Sequence, residues 1–180
     1  ESIMTSLKHF PGHGDASTDS HTGLPRIEKS YDELKANELI PFERCIKEGA
    51  DMIMTAHIQY PLIEKETYSS IKDGQKIELP ATLSKTIITD ILRNDLGFDG
   101  VVVTDAMNMA AISAHFDVLD TARLAIEAGV DIILMPVDTG TDDGIDALDK
   151  YISDVADMAD EGEISMDKVD LAVTRILTLK

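Results

Sequence analysis

Apolar residues in this chain fall into short buried-looking runs separated by longer stretches with a helical period. Ile3–Leu7, Met52–Ala56, Val101–Thr104 and Ile132–Met135 predict buried parallel strands. Helical signals follow each of them. Ser30 with Glu33 three residues on has capping-box spacing, and Pro41 suits the first turn of a second piece, Phe42–Glu48, closed by Gly49. Leu83, Ile87, Ile88 and Ile91 share one face of a helix expected over Leu83–Leu92, and Thr121–Ala128 reads as another, ended by Gly129. Two amphipathic helices close the chain. Ile145, Leu148, Ile152 and Val155 form one stripe; Val169, Val173, Ile176 and Leu177 form the other, after an expected N-cap at Ser165. The polar stretch Gln59–Leu79 shows no period and reads as a surface excursion.

Four strand-then-helix units without hairpin signals predict an α/β protein with a parallel sheet, because parallel neighbours need crossover connections. Pattern alone leaves two architectures open, half of a barrel and a small doubly wound sheet. The length of 180 residues fits one domain and falls short of the roughly 250 of a complete (β/α)₈ barrel.

Composition narrows the function classes. Hydrophobic residues make up 43% and charged residues 28%, the balance of a soluble globular chain, and no apolar run is long enough for membrane insertion. The net charge of -18 repels phosphate backbones, so no nucleic-acid partner is expected. A single cysteine, Cys45, excludes an internal disulfide and leaves the compartment open. The chain starts at Glu1 without a signal-like prefix and is expected to be an excerpt.

The densest chemistry lies just after the first expected strand, in Lys8-His9-Phe10-Pro11-Gly12-His13-Gly14-Asp15 and then Asp19-Ser20-His21. Loops leaving the carboxyl ends of parallel strands are where α/β folds bind ligands. His9, His13, Asp15, Asp19 and His21 are also competent metal ligands, though no familiar ligand spacing is present, and each histidine alone also fits a plain surface role. Asp105 ends the run Val101–Thr104, as a residue facing a barrel active site would; it suits equally an N-cap for Ala106–Ile112.

The motif Lys8 to Gly14, followed after four residues by Asp19-Ser20-His21, resembles the signature of family 3 β-N-acetylglucosaminidases, and Gly97 to Met107 resembles that family's nucleophile strand. The resemblance covers essentially the whole chain. It implies the C-terminal half, strands 5 to 8 with their helices, of a TIM (β/α)₈ barrel, residues 1–180 being a partial catalytic domain without its first half. It implies a retaining double displacement on terminal β-linked N-acetylglucosamine, in peptidoglycan or chitooligosaccharide turnover, with Asp105 as nucleophile. His21 would be the acid/base and Asp19 its dyad partner. Lys8, His9 and Met109 would bind the sugar; no cofactor and no metal are implied.

By the same resemblance the remaining sugar-binding residues come from absent strands, so the fragment alone is expected to be inactive and to self-associate through exposed edges. Export or wall association in a Gram-positive-type bacterium is the implied setting. Within enzymes the alternatives are a family 3 β-glucosidase, which generally lacks the Asp-Ser-His element, and an N-acetylglucosaminide phosphorylase. Outside them stands a non-catalytic metal-binding or scaffolding module.

Overall fold

A computed structural model describes residues 3–14, 16 and 23–180. Its centre is a parallel sheet of three strands, β1 (Ser6–Phe10), β2 (Met52–Thr55) and β5 (Val101–Val103), in the order β1-β2-β5. Met52 pairs with both Ser6 and Val101, and Met54 with Val103. The three valines of β5 are all buried, as expected of a strand covered on both faces. Gly100 precedes β5 because a Cβ there would lie 2.6 Å from the Asp51 carbonyl oxygen.

The first strand begins later than its apolar pattern predicts. Ile3 and Met4 stand exposed, while the ladder starts at Ser6 and runs into Phe10, which is fully buried and whose carbonyl accepts from Ala56 N–H at 2.8 Å. The register shifts between Leu7 and Phe10, so the strand bulges at Lys8 and His9.

The fourth expected strand, Ile132–Met135, is reduced to one parallel bridge between Val103 and Ile132. A side chain interrupts it: the Leu134 N–H donates to Thr104 Oγ1 at 2.9 Å instead of to a backbone carbonyl. Met135 then takes φ 48°, the positive-φ region that L residues seldom occupy.

The excursion is more regular than its sequence suggests. Within Gln59–Leu79 lies an antiparallel pair, β3 (Thr67–Ser69) and β4 (Lys76–Glu78), in which Tyr68 faces Ile77. The absence of hairpins is therefore corrected; Asp73-Gly74, between the two strands, is the turn signal that marks this one. Buried Glu64 holds its base, accepting from the backbone N–H of Lys65 and of Glu66, each at 2.7 Å, and from the Ser84 hydroxyl.

Helices sit largely where expected. α1 (Tyr31–Ala36) has the Ser30–Glu33 capping box, and α2 (Leu39–Lys47) carries Pro41 in its first turn. The helix expected over Leu83–Leu92 is a 3₁₀ turn, Ala81–Leu83, followed by a π-wound segment, Thr86–Asp95, that buries Ile87, Ile88, Ile91 and Leu92. After β5 come α3 (Ala110–Ser113) and α4 (Val118–Ala128), the latter capped by the Asp117 carboxylate and ended by Gly129 at φ 104°. α5 (Asp142–Asp160) and α6 (Met166–Leu179) close the chain. Ser165 occupies the N-cap position of α6 without a side-chain capping bond. Ile145, Ile152, Val173 and Leu177 remain exposed, so both stripes keep part of their apolar surface in solvent. No helix among the described residues is long and apolar enough to cross a membrane.

Candidate active site

Three parallel neighbours deliver ionisable side chains to one end of the sheet. His9 lies near the end of β1, His57 two residues beyond β2, and Asp105 two beyond β5. This carboxyl end is where parallel α/β folds gather their reactive groups.

Both oxygens of Asp105 have polar neighbours. Its Oδ1 accepts from the Ala106 N–H at 2.8 Å, and its Oδ2 stands 3.5 Å from His9 Nε2. Both side chains are partly open, His9 at 26% and Asp105 at 19%, which leaves the carboxylate reachable by a ligand. The N-cap alternative for Asp105 is overturned, because the helix that follows starts at Ala110 with Met109 at its cap position.

The loop after β1 is fixed rather than loose at its start. Tyr60 donates its hydroxyl proton to the Gly12 carbonyl at 2.5 Å. Gly12 has φ 141°, and a Cβ there would fall 2.8 Å from Glu38 Cβ, so both conformation and space require glycine. The His13 ring packs edge-on to His9, with centroids 5.7 Å apart.

Of the expected site residues, His9 and Asp105 are brought together. Lys8 is exposed and borders a groove formed with Leu7, Pro41, Phe42 and Cys45. Met109 is half-buried in the turn below Asp105, where its N–H donates to the Ala106 carbonyl at 3.1 Å. Asp19 and His21 lie outside the described residues, as does Asp15. Among the described residues no group of three His, Cys, Asp or Glu side chains is gathered as metal ligands, but three of the five suggested ligands lie outside them.

His57 is the residue that sequence reasoning missed. It is buried, with Nδ1 2.8 Å from Thr82 Oγ1 and Nε2 3.0 Å from the Ala106 carbonyl oxygen. Burial pushes its pKa below the usual imidazole range, against the pull of the Ala106 carbonyl and the Asp105 charge. Its signal was positional: His57 follows the run Met52–Ala56 just as Asp105 follows Val101–Thr104.

The family model for the glycosyl hydrolase family 3 N terminal domain matches residues 1–179. The chain is 40% identical over 179 residues to β-hexosaminidase A of Pseudoalteromonas piscicida, covering 99% of itself and 30% of that protein. Among solved structures, a glycoside hydrolase family 3 β-N-acetylglucosaminidase from Paenibacillus sp. str. FPU-7 superposes with a TM-score of 0.84 at 38% identity. That match covers 99% of this chain and 31% of the other. A β-glucoside phosphorylase superposes with a TM-score of 0.80 at 28% identity, over 99% of this chain and 30% of its own. The chain thus spans about a third of the length of such relatives. It belongs to the family of glycosyl hydrolase family 3 N-terminal domains.

Proposed function

We propose that this chain supplies the nucleophile and the acid/base loop of a retaining β-N-acetylglucosaminidase, as units five to eight of a (β/α)₈ barrel. The observation that carries the reading is the Asp105 carboxylate, presented at the carboxyl end of β5 and oriented by the Ala106 N–H. The names of its relatives, β-hexosaminidase and β-N-acetylglucosaminidase, support the substrate.

In this mechanism Asp105 attacks the anomeric carbon as the bond to the leaving oxygen breaks, giving a covalent glycosyl-enzyme. His21 gives that oxygen its proton, then takes one from the water that displaces Asp105. An imidazole titrates near neutrality, and a carboxylate such as Asp19 on its other nitrogen fixes the tautomer and stabilises the protonated ring. By this reading His9, 3.5 Å from Asp105 Oδ2, donates to a sugar hydroxyl beside the reacting carbon, with Lys8 and Met109 as further substrate contacts. Two displacements at one carbon restore its configuration. Proton NMR of the first product in the full-length enzyme is therefore expected to show the β-anomer of N-acetylglucosamine, and initial release of the α-anomer would contradict the reading.

His21→Ala separates the acid role from binding. The variant is expected to lose about 10²–10⁴-fold in turnover on substrates with poor leaving groups and far less on activated aryl glycosides, which need little protonation. Equal losses on both, measured as kcat/KM, would remove His21 from the acid/base role.

A second reading is phosphorolysis, favoured by the fit to the β-glucoside phosphorylase. A neutral imidazole does not repel an incoming phosphate as a carboxylate base would. Formation of a sugar 1-phosphate when inorganic phosphate is added would support it; free sugar alone would support hydrolysis.

A further inference from the structure

We infer that His57 is a positioning residue for the nucleophile: its Nε2–H fastens the Ala106 carbonyl and so holds the turn from which Asp105 presents its carboxylate. The inference rests on the assignment of Asp105 as nucleophile.

The proton assignment follows from the partners. A carbonyl oxygen only accepts, so the 3.0 Å contact between His57 Nε2 and the Ala106 oxygen requires the proton on Nε2. In the neutral ring Nδ1 is bare and accepts the single Thr82 hydroxyl proton, while the Ala56 carbonyl keeps the Thr82 N–H at 3.2 Å. The Thr82 hydroxyl stands 2.8 Å from Nδ1 and 3.0 Å from both the Ala56 carbonyl oxygen and Thr55 Oγ1. At 1% exposure, with both nitrogens engaged, the ring has no room to swing.

Ala106 is the joint on which this acts. Its carbonyl receives His57 Nε2–H on one side and the Met109 N–H, at 3.1 Å, on the other, while its own N–H holds Asp105 Oδ1 at 2.8 Å. The bonds from Met107 N–H to Leu134 and from Asn108 N–H to Met135 tie down the next residues of the turn. His57 supplies a side-chain hold from the segment just after β2, the strand beside β5.

Chemistry explains why a buried neutral donor suits this place. A nucleophile displaced by about 1 Å from its line of attack can lose on the order of 10²-fold in rate. A cation at His57 would stabilise the Asp105 anion in the ground state and lose much of that attraction once the carboxylate becomes an ester. Burial lowers the His57 pKa and so favours the neutral ring, which orients the turn through its Nε2–H without adding that charge.

The test uses the full-length enzyme and two amides of different reach. His57→Asn keeps a polar group near Thr82 but falls short of Ala106, whereas His57→Gln extends an N–H toward the Ala106 carbonyl. For His57→Asn we expect kcat per trapped site to fall about 10- to 100-fold with KM little changed. Trapping by a 5-fluoro N-acetylglucosamine analogue is expected to slow in parallel, and His57→Gln to recover most of both rates. A purely structural role would lower stability and the number of trappable sites while leaving kcat per site intact. Wild-type kcat per site in His57→Asn, or equal losses in both variants, would overturn the inference. Ring ¹⁵N shifts of the wild-type protein decide it even where a variant fails to fold: Nε2 is expected to be protonated across about pH 5–8, and a bare Nε2 would overturn it. If trapping labels a residue other than Asp105, the nucleophile assignment itself fails; a label on Asp105 with an indifferent His57 removes only this inference.

Discussion

Asp105→Ala is expected to reduce turnover of the full-length enzyme by about 10⁴-fold or more while leaving the fold intact. On the proposed mechanism the loss follows because the first displacement then has no atom with which to form the glycosyl-enzyme. The fold survives because the side chain is partly open and its contacts are with one backbone N–H and with His9. Asp105→Asn makes a stricter control, keeping the shape and the acceptor for the Ala106 N–H while removing the proposed nucleophile. Both variants are expected to unfold close to the wild-type denaturant midpoint. Normal activity in either would remove Asp105 from the mechanism.

Asp131→Ala is expected to do the opposite, costing stability and sparing chemistry. Asp131 sits at the other end of the sheet, just before Ile132, with its side chain fully buried. It accepts from Arg93 Nη2 at 2.6 Å, from Arg175 Nη1 at 2.9 Å and from the Val102 N–H at 2.7 Å. One carboxylate thus joins the π-wound segment, α6 and β5. Removing it strands the Arg93 guanidinium, 9% exposed, without its counter-charge, and breaking such a pair costs about 3–5 kcal/mol. Urea unfolding of the full-length protein is expected to shift by that amount, with turnover per folded molecule unchanged. A midpoint within error of wild type would show that water or neighbouring carbonyls compensate the arginine.

What the sequence made legible is what local pattern encodes. The run at Val101 became a strand buried on both faces, as continuous apolar residues suit, and the run at Met52 one that buries Ile53 and Thr55 and leaves Met52 and Met54 half-buried. The capping box at Ser30 and Gly129 after α4 marked helix ends because they satisfy backbone groups within a few residues. The pattern failed where distant atoms decide. Ile132–Met135 has a strand's composition, but the hydroxyl of Thr104 takes the N–H that would have continued its ladder. β3 and β4 each turn a single inward side chain, Tyr68 and Ile77, too little alternation to register as a period. The last two stripes announce helices without saying how much of their apolar surface stays in solvent.

The site divides in the same way. Asp105 was visible because it closes a buried apolar run, and the family resemblance rather than the residue alone favoured it over an N-cap. His57 has an equivalent position, yet its role depends on Thr82 and Ala106, which lie 25 and 49 residues away along the chain. Only the folded chain brings these together. The roles of Asp19 and His21 rest on the family resemblance, since both lie outside the described residues.

The most direct test of the central claim is covalent trapping of the full-length enzyme with a 5-fluoro N-acetylglucosamine analogue, followed by peptide mass spectrometry. A label on Asp105 is the predicted result, joining the retaining mechanism to the strand end that presents it. A label on another residue, or none in an enzyme with demonstrated turnover, would contradict it.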